Sequence, residues 1–93
     1  MNLPVTTDGM VTRLAIARAT RAVDVKALAY SVGVPWQDLR DWERGEARVP
    51  TDAMFKRLGL ALRWKWLDLA GPNMSQEDAY DALVSARNRA VAQ

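Results

Sequence analysis

The stretch Val25–Pro50, VKALAYSVGVPWQDLRDWERGEARVP, decides how this chain folds. It reads as a helix, a tight turn, a second helix and a closing turn. Asp24, just ahead of it, is suited to cap a helix over Val25–Val32, because its carboxylate can accept from the first unpaired backbone N–H groups. Leu28, Ala29 and Val32 share one face of that helix. Gly33 stands where a helix commonly ends in a left-handed residue, and Val34 supplies an apolar anchor for the turn. Pro35 suits the first position of a new helix, where a missing N–H costs nothing. The second helix is expected from Pro35 to about Arg44, with Asp38 near the positive end of its dipole and Gly45 as its stop. Its two faces differ. Leu39 and Trp42 point one way and read as core, while Trp36, Gln37, Arg40, Asp41 and Arg44 point the other way.

Upstream, Asp8 or Thr7 can cap a first helix over about Asp8–Arg21, with Met10, Leu14 and Ala17 at i, i+4 and i+7. Ala22-Val23-Asp24 breaks it. Residues 1–7 contain Pro4 and no periodicity, and read as a flexible N-terminal arm. Downstream, Ala47–Pro50 is a loop, and Pro50 or Thr51 starts a fourth helix to about Arg63. Met54, Leu58 and Ala61 or Leu62 form its stripe, and Gly59 within it is expected to cost about 1 kcal/mol. A short fifth helix, Trp64–Leu69, stops at Gly71-Pro72-Asn73. Trp64 is expected to fill the core beneath the fourth helix. Trp66 cannot share that direction, which makes it a candidate for a dimer contact or for cover by the C-terminal helix.

That last helix is expected over Ser75–Ala92, opened by a capping-box-like Ser75 and Asp78. Ala79, Tyr80, Leu83, Val84, Ala90 and Val91 give it an apolar stripe that needs a partner, either its own domain or a second subunit. The fold class is therefore all-α: five short helices in a domain over residues 8–71, plus a C-terminal helix over 75–92.

Ninety-three residues suit one domain. The chain has no Cys and no His, which removes disulfides, the usual zinc sites, Cys and Ser–His nucleophile systems and the commonest general base. No Gly-rich phosphate loop or paired-acid motif is visible. An enzyme, a metal site and a cofactor are all unexpected. The net charge of +2 is unevenly placed, with 11 Lys/Arg against 8 Asp/Glu in residues 1–71 and 2 against 3 in residues 72–93. The positive balance sits with the first segment, as an electrostatic footprint for nucleic acid requires. No apolar run approaches a membrane span and residues 1–12 lack the pattern of a signal peptide, so a cytoplasmic location without membrane contact is expected.

Residues 14–71 resemble the lambda-repressor-like helix-turn-helix family, also called the Cro/C1 or Xre type. The resemblance is carried by Leu14 with Arg18, Asp24, Leu28-Ala29, Gly33-Val34, Leu39, the Trp42-Glu43-Arg44-Gly45 run, Pro50 and the Leu58/Leu62 pair. It implies a five-helix bundle whose third helix enters the DNA major groove, commonly as a homodimer on a palindromic site. It also implies a structural ion pair between Arg18 and Glu43, and phosphate contacts from Arg44 and Arg48 at the turn after the recognition helix. The chain departs from the family at Asp24-Val25, where Thr-Gln is usual, and at Pro35-Trp36, where Ser and a polar residue are usual.

On the outward face, Gln37 can pair bidentately with adenine, Arg40 can read guanine or bind phosphate, and Asp41 can accept from cytosine or orient the neighbouring arginines. Trp36 can pack on a thymine methyl or a sugar, and is equally what a protein-binding surface offers. Two functions follow. One is a sequence-specific repressor of phage, plasmid or other mobile-element type, binding double-stranded DNA with no small-molecule ligand. The other is a protein-interaction module on the same fold, an antiactivator or antitoxin, that takes a protein partner through the Trp36 face. Trp66, Tyr80 and Leu83 are the candidates for dimerisation or for packing within the chain.

Overall fold

The computed structural model describes residues 3–92, with side chains through Arg89. The order is β1 (Met10–Val11), α1 (Arg13–Arg21), α2 (Val25–Val32), α3 (Trp36–Glu43), α4 (Asp52–Leu62), α5 (Trp66–Leu69), β2 (Met74–Ser75) and α6 (Gln76–Ala92). The protein is mostly helical with one two-stranded antiparallel sheet, in register Met10 to Ser75 and Val11 to Met74. No helix among the described residues is long and apolar enough to cross a membrane.

The central helices form for local reasons. Asp24 accepts from the N–H groups of Lys26 at 3.0 Å and Ala27 at 3.4 Å. Gly33 takes φ 77°, and its own N–H and that of Val34 return to the Ala29 carbonyl. Such a left-handed close is the geometry that glycine adopts without a steric penalty. Pro35 caps α3 in an extended conformation, so the helix begins one residue later, at Trp36. Thr51 caps α4 by accepting from Met54 at 3.1 Å. One core joins Leu14 and Ala17 of α1, Leu28, Ala29 and Val32 of α2, Leu39 and Trp42 of α3, Leu58 and Leu62 of α4 and Leu69 of α5. Trp64 is half-buried against this core. It precedes α5, which starts at Trp66 and not at Trp64.

The beginning of the chain differs from the sequence expectation. The first helix starts at Arg13, capped by the Thr12 hydroxyl, which accepts from Ala15 at 3.2 Å. Asp8 and Met10 lie outside it because the backbone of residues 10–11 is engaged by β2. Residues 1 and 2 of the expected arm lie outside the described residues. From Leu3 onward that segment packs on the domain. Leu3 joins a second core with Val11, Ala15, Ile16 and Ala79, and Thr6 is buried. The Thr6 hydroxyl accepts from the Met10 N–H at 3.0 Å and donates to the Asp8 carboxylate.

The second core seats α6 on α1. Ala79 and Leu83 are buried, whereas Tyr80 is 58 % exposed and Val84 is exposed beside it. The expected single stripe on α6 is therefore two faces, and Leu83 packs within its own chain. The side chains of Ala90 and Val91 lie outside the described residues. Trp66 lies against α4, with Lys56 Nζ 5.1 Å from its ring centroid. Gly59 is also more than a tolerated residue. A Cβ there would stand 2.7 Å from the Trp64 carbonyl oxygen and 3.3 Å from Trp66 Cβ, so glycine permits the close return of the chain after α4.

Candidate nucleic-acid interface

Helix α3 is held from within by Leu39 and Trp42 and at its end by a buried charge. Glu43 is 1 % exposed, and both its carboxylate oxygens accept from Arg18 Nε, at 2.9 and 2.8 Å. Arg18 Nη1 also donates to the Val23 carbonyl at 3.0 Å. The Thr12 hydroxyl donates to the backbone carbonyl of Glu43 at 3.0 Å. The last turn of α3 is thus fastened to both ends of α1, which fixes its orientation more than it adds stability. Beyond it, the N–H groups of Glu46 and Ala47 return to the Asp41 carbonyl at 2.9 and 3.3 Å. Gly45, at φ 71°, lies so close to Thr6 that a Cβ would meet Thr6 Cγ2 at 2.8 Å.

The outward face separates into two groups. Gln37 and Asp38 are exposed on the first turn, and Arg44 and Arg48 are exposed at the turn after α3. Among the described residues, neither arginine takes part in an ion pair or a side-chain hydrogen bond. The second group is Trp36, Arg40 and Asp41. Trp36 is half-buried against the main core, with Arg40 Cζ 5.3 Å and Lys26 Nζ 5.2 Å from its ring centroid. Arg40 Nη2 meets Asp41 Oδ1 at 3.4 Å, and Arg40 Nε is buried with no hydrogen-bond partner among the described residues. Both partners of that pair are substantially exposed, so it orients Arg40 and contributes little to stability.

Trp36 and Arg40, read from the sequence as separate base-contacting side chains, are in fact one assembly in which the indole supports the guanidinium. Lys26 is the residue that sequence reasoning missed. It is the second residue of α2, and the packing of α2 on α3 brings its ammonium to the start of α3. A cation early in the helix before the presented one was the available signal.

The charge at this surface is mixed. Lys26, Arg40, Arg44 and Arg48 stand among Asp38, Asp41 and Glu46, which leaves a formal balance of one positive charge among these side chains. Among the described residues no group of three or more His, Cys, Asp or Glu side chains is placed to hold a metal ion. Comparison with protein families, with curated proteins and with solved structures found no match to this chain.

Proposed function

We propose that this chain is a lambda-repressor-like, Xre-type helix-turn-helix regulator that binds double-stranded DNA sequence-specifically. In its simplest form it is a small repressor of phage, plasmid or other mobile-element type, acting as a homodimer on a palindromic operator. Helix α3 would enter the major groove, with Gln37 reading adenine and Arg40, steadied by Trp36 and Asp41, reading guanine or gripping phosphate. Arg44, Arg48 and Lys26 would bind phosphates on either side.

The observation that carries this reading is the mounting of α3. Its inner face and end are locked by Leu39, Trp42 and the Arg18–Glu43 pair, while Gln37 and the two arginines after it stay exposed. Rigid presentation of a short polar helix flanked by cations is what base readout needs.

The test is selection of bound sequences from random duplex DNA, repeated with Gln37→Ala and Arg44→Ala. Gln37→Ala should relax one operator position, by about 1–3 kcal/mol for a bidentate contact. Arg44→Ala should weaken all sites alike and lower the salt slope by about one unit. No enriched sequence at low salt would remove the regulator reading. It would favour the protein-interaction module, which the acidic Asp38 and Asp41 and the half-buried Trp36 on the same face support.

A further inference from the structure

A second surface of the molecule remains outside this reading. At the end of α4 and the start of α5, Lys56, Gly59, Leu60, Arg63, Lys65 and the two tryptophans line a groove of about 640 Å³. Gly59 lies in its floor, Trp66 forms a wall under the Lys56 ammonium, and Leu60 is 83 % exposed at its edge. Three cations rim the groove, and among the described residues no acidic side chain lines it.

The complementary surface lies on the same chain. With Ala79 and Leu83 turned into the domain, the opposite face of α6 carries Glu77, Tyr80, Asp81 and Val84 at i, i+3, i+4 and i+7. It presents an exposed aromatic ring and a valine along one side and two carboxylates beside them, with no cation at these four positions. Each surface sets apolar side chains beside charged ones, and the charges of the two are of opposite sign, a combination that protein interfaces use.

We propose that the α4–α5 groove of one copy receives the Tyr80 face of α6 from a second copy. Tyr80 seats beside Trp66, and Glu77 and Asp81 face Lys56, Arg63 and Lys65. In a two-fold pair the contact is made twice, the groove of each copy holding α6 of the other. It supplies the self-association in the regulator reading and deepens that part of it, but its physical basis does not depend on DNA.

The experiment is sedimentation velocity of the full chain, without DNA, over a concentration series. Two charge-reversed variants are compared, Glu77→Lys/Asp81→Lys and Lys56→Glu/Lys65→Glu, with far-UV circular dichroism to confirm folding. Each alone sets like charges against each other and should weaken association by at least about tenfold. Mixed in equal amounts, they should associate again, because the basic groove of the first accepts the acidic helix of the second and the reversed pair is also complementary. Tyr80→Ala, an exposed position whose loss leaves the core intact, should weaken association in the unreversed chain, and added salt should do the same. A wild-type chain that stays monomeric throughout, a reversed variant that associates like wild type, or a mixture that stays apart would overturn the proposal. Since no DNA is present, a failed operator selection leaves this result standing. A monomer that still selects an operator would sink this contact alone.

Discussion

Replacing Arg18 with methionine tests whether the end of α3 is governed by its buried charge. The substitution keeps an unbranched apolar stem and removes the group facing both oxygens of Glu43. Breaking one side of a buried ion pair costs about 3–5 kcal/mol, because the remaining charge is left uncompensated. The Arg18 side chain is 23 % exposed and that of Glu43 only 2 %. Solvent therefore relieves part of the cost on the arginine side, and the expected loss lies near the lower end, about 3 kcal/mol. The lost hydrogen bond to the Val23 carbonyl adds about 1 kcal/mol. For a domain of this size each kcal/mol lowers Tm by about 4–8 °C, so the combined loss of about 4 kcal/mol should lower it by at least about 16 °C.

The assay is thermal and urea unfolding followed by circular dichroism, extended to a double-mutant cycle with Glu43→Leu. The double variant leaves no orphaned charge and should recover about 2 kcal/mol relative to the sum of the single losses. An Arg18→Met loss below about 1 kcal/mol, or a coupling below about 0.5 kcal/mol, would refute the reasoning.

Three further outcomes follow from particular geometries. Gly59→Ala should destabilise the protein by about 1–2 kcal/mol in urea titration despite alanine's better helix propensity, because the added methyl meets the Trp64 backbone and not a movable side chain; a gain would show that the close approach is not real. Ala22→Gly should stabilise by about 0.5–1 kcal/mol, since Ala22 closes α1 at φ 53° and a left-handed alanine is strained; an unchanged or lower Tm counts against that cap. On the proposed reading, Trp36→Ala should lower DNA affinity and relax at most the operator position set by Arg40, and Trp36→Phe should restore much of it, because the ring supports Lys26 and Arg40; a change at any other operator position would mean that Trp36 contacts a base directly.

The parts of the fold legible in the sequence are those decided within a few residues. Asp24, Gly33 and Thr51 act as caps and stops through their own backbone neighbourhood, and the inward direction of Leu39 and Trp42 follows from helical spacing. The Arg18–Glu43 pair was expected from the family resemblance, with which the position of both residues beside apolar stripes agrees. What escaped the sequence depends on partners far along the chain. Met10 and Val11 continue a helical pattern on paper, yet Met74 and Ser75 take their backbone into a sheet, and two-residue strands have no period to detect. Gly59 looked like a weak point in α4 because the returning Trp64 carbonyl is visible only after the chain has turned. At the candidate site, the outward positions of Gln37 and Arg44 followed from spacing, and Arg48 was expected from the family resemblance. The stacking of Trp36 with Lys26 and Arg40 did not, since it requires the angle between two helices. Tyr80 and Leu83 shared one apolar stripe in the sequence, and only the seat of α6 on α1 divided them.

The first strand has a consequence for how this sequence can vary. Between Thr6 and Thr12 the chain is fastened at both ends, by Thr6 under Gly45 and by the Thr12 hydroxyl on the end of α3. In between, β1 is paired with β2. Inserting or deleting one residue there would shift the strand register and turn Val11 out of the core between α1 and α6. The same change would withdraw Thr12 from Glu43. Residues near a chain terminus ordinarily absorb length changes with little effect. Here the six-position spacing from Thr6 to Thr12 sets the seat of α6 and the tilt of α3 together, so this segment should tolerate substitution of side chains far better than any change in its length.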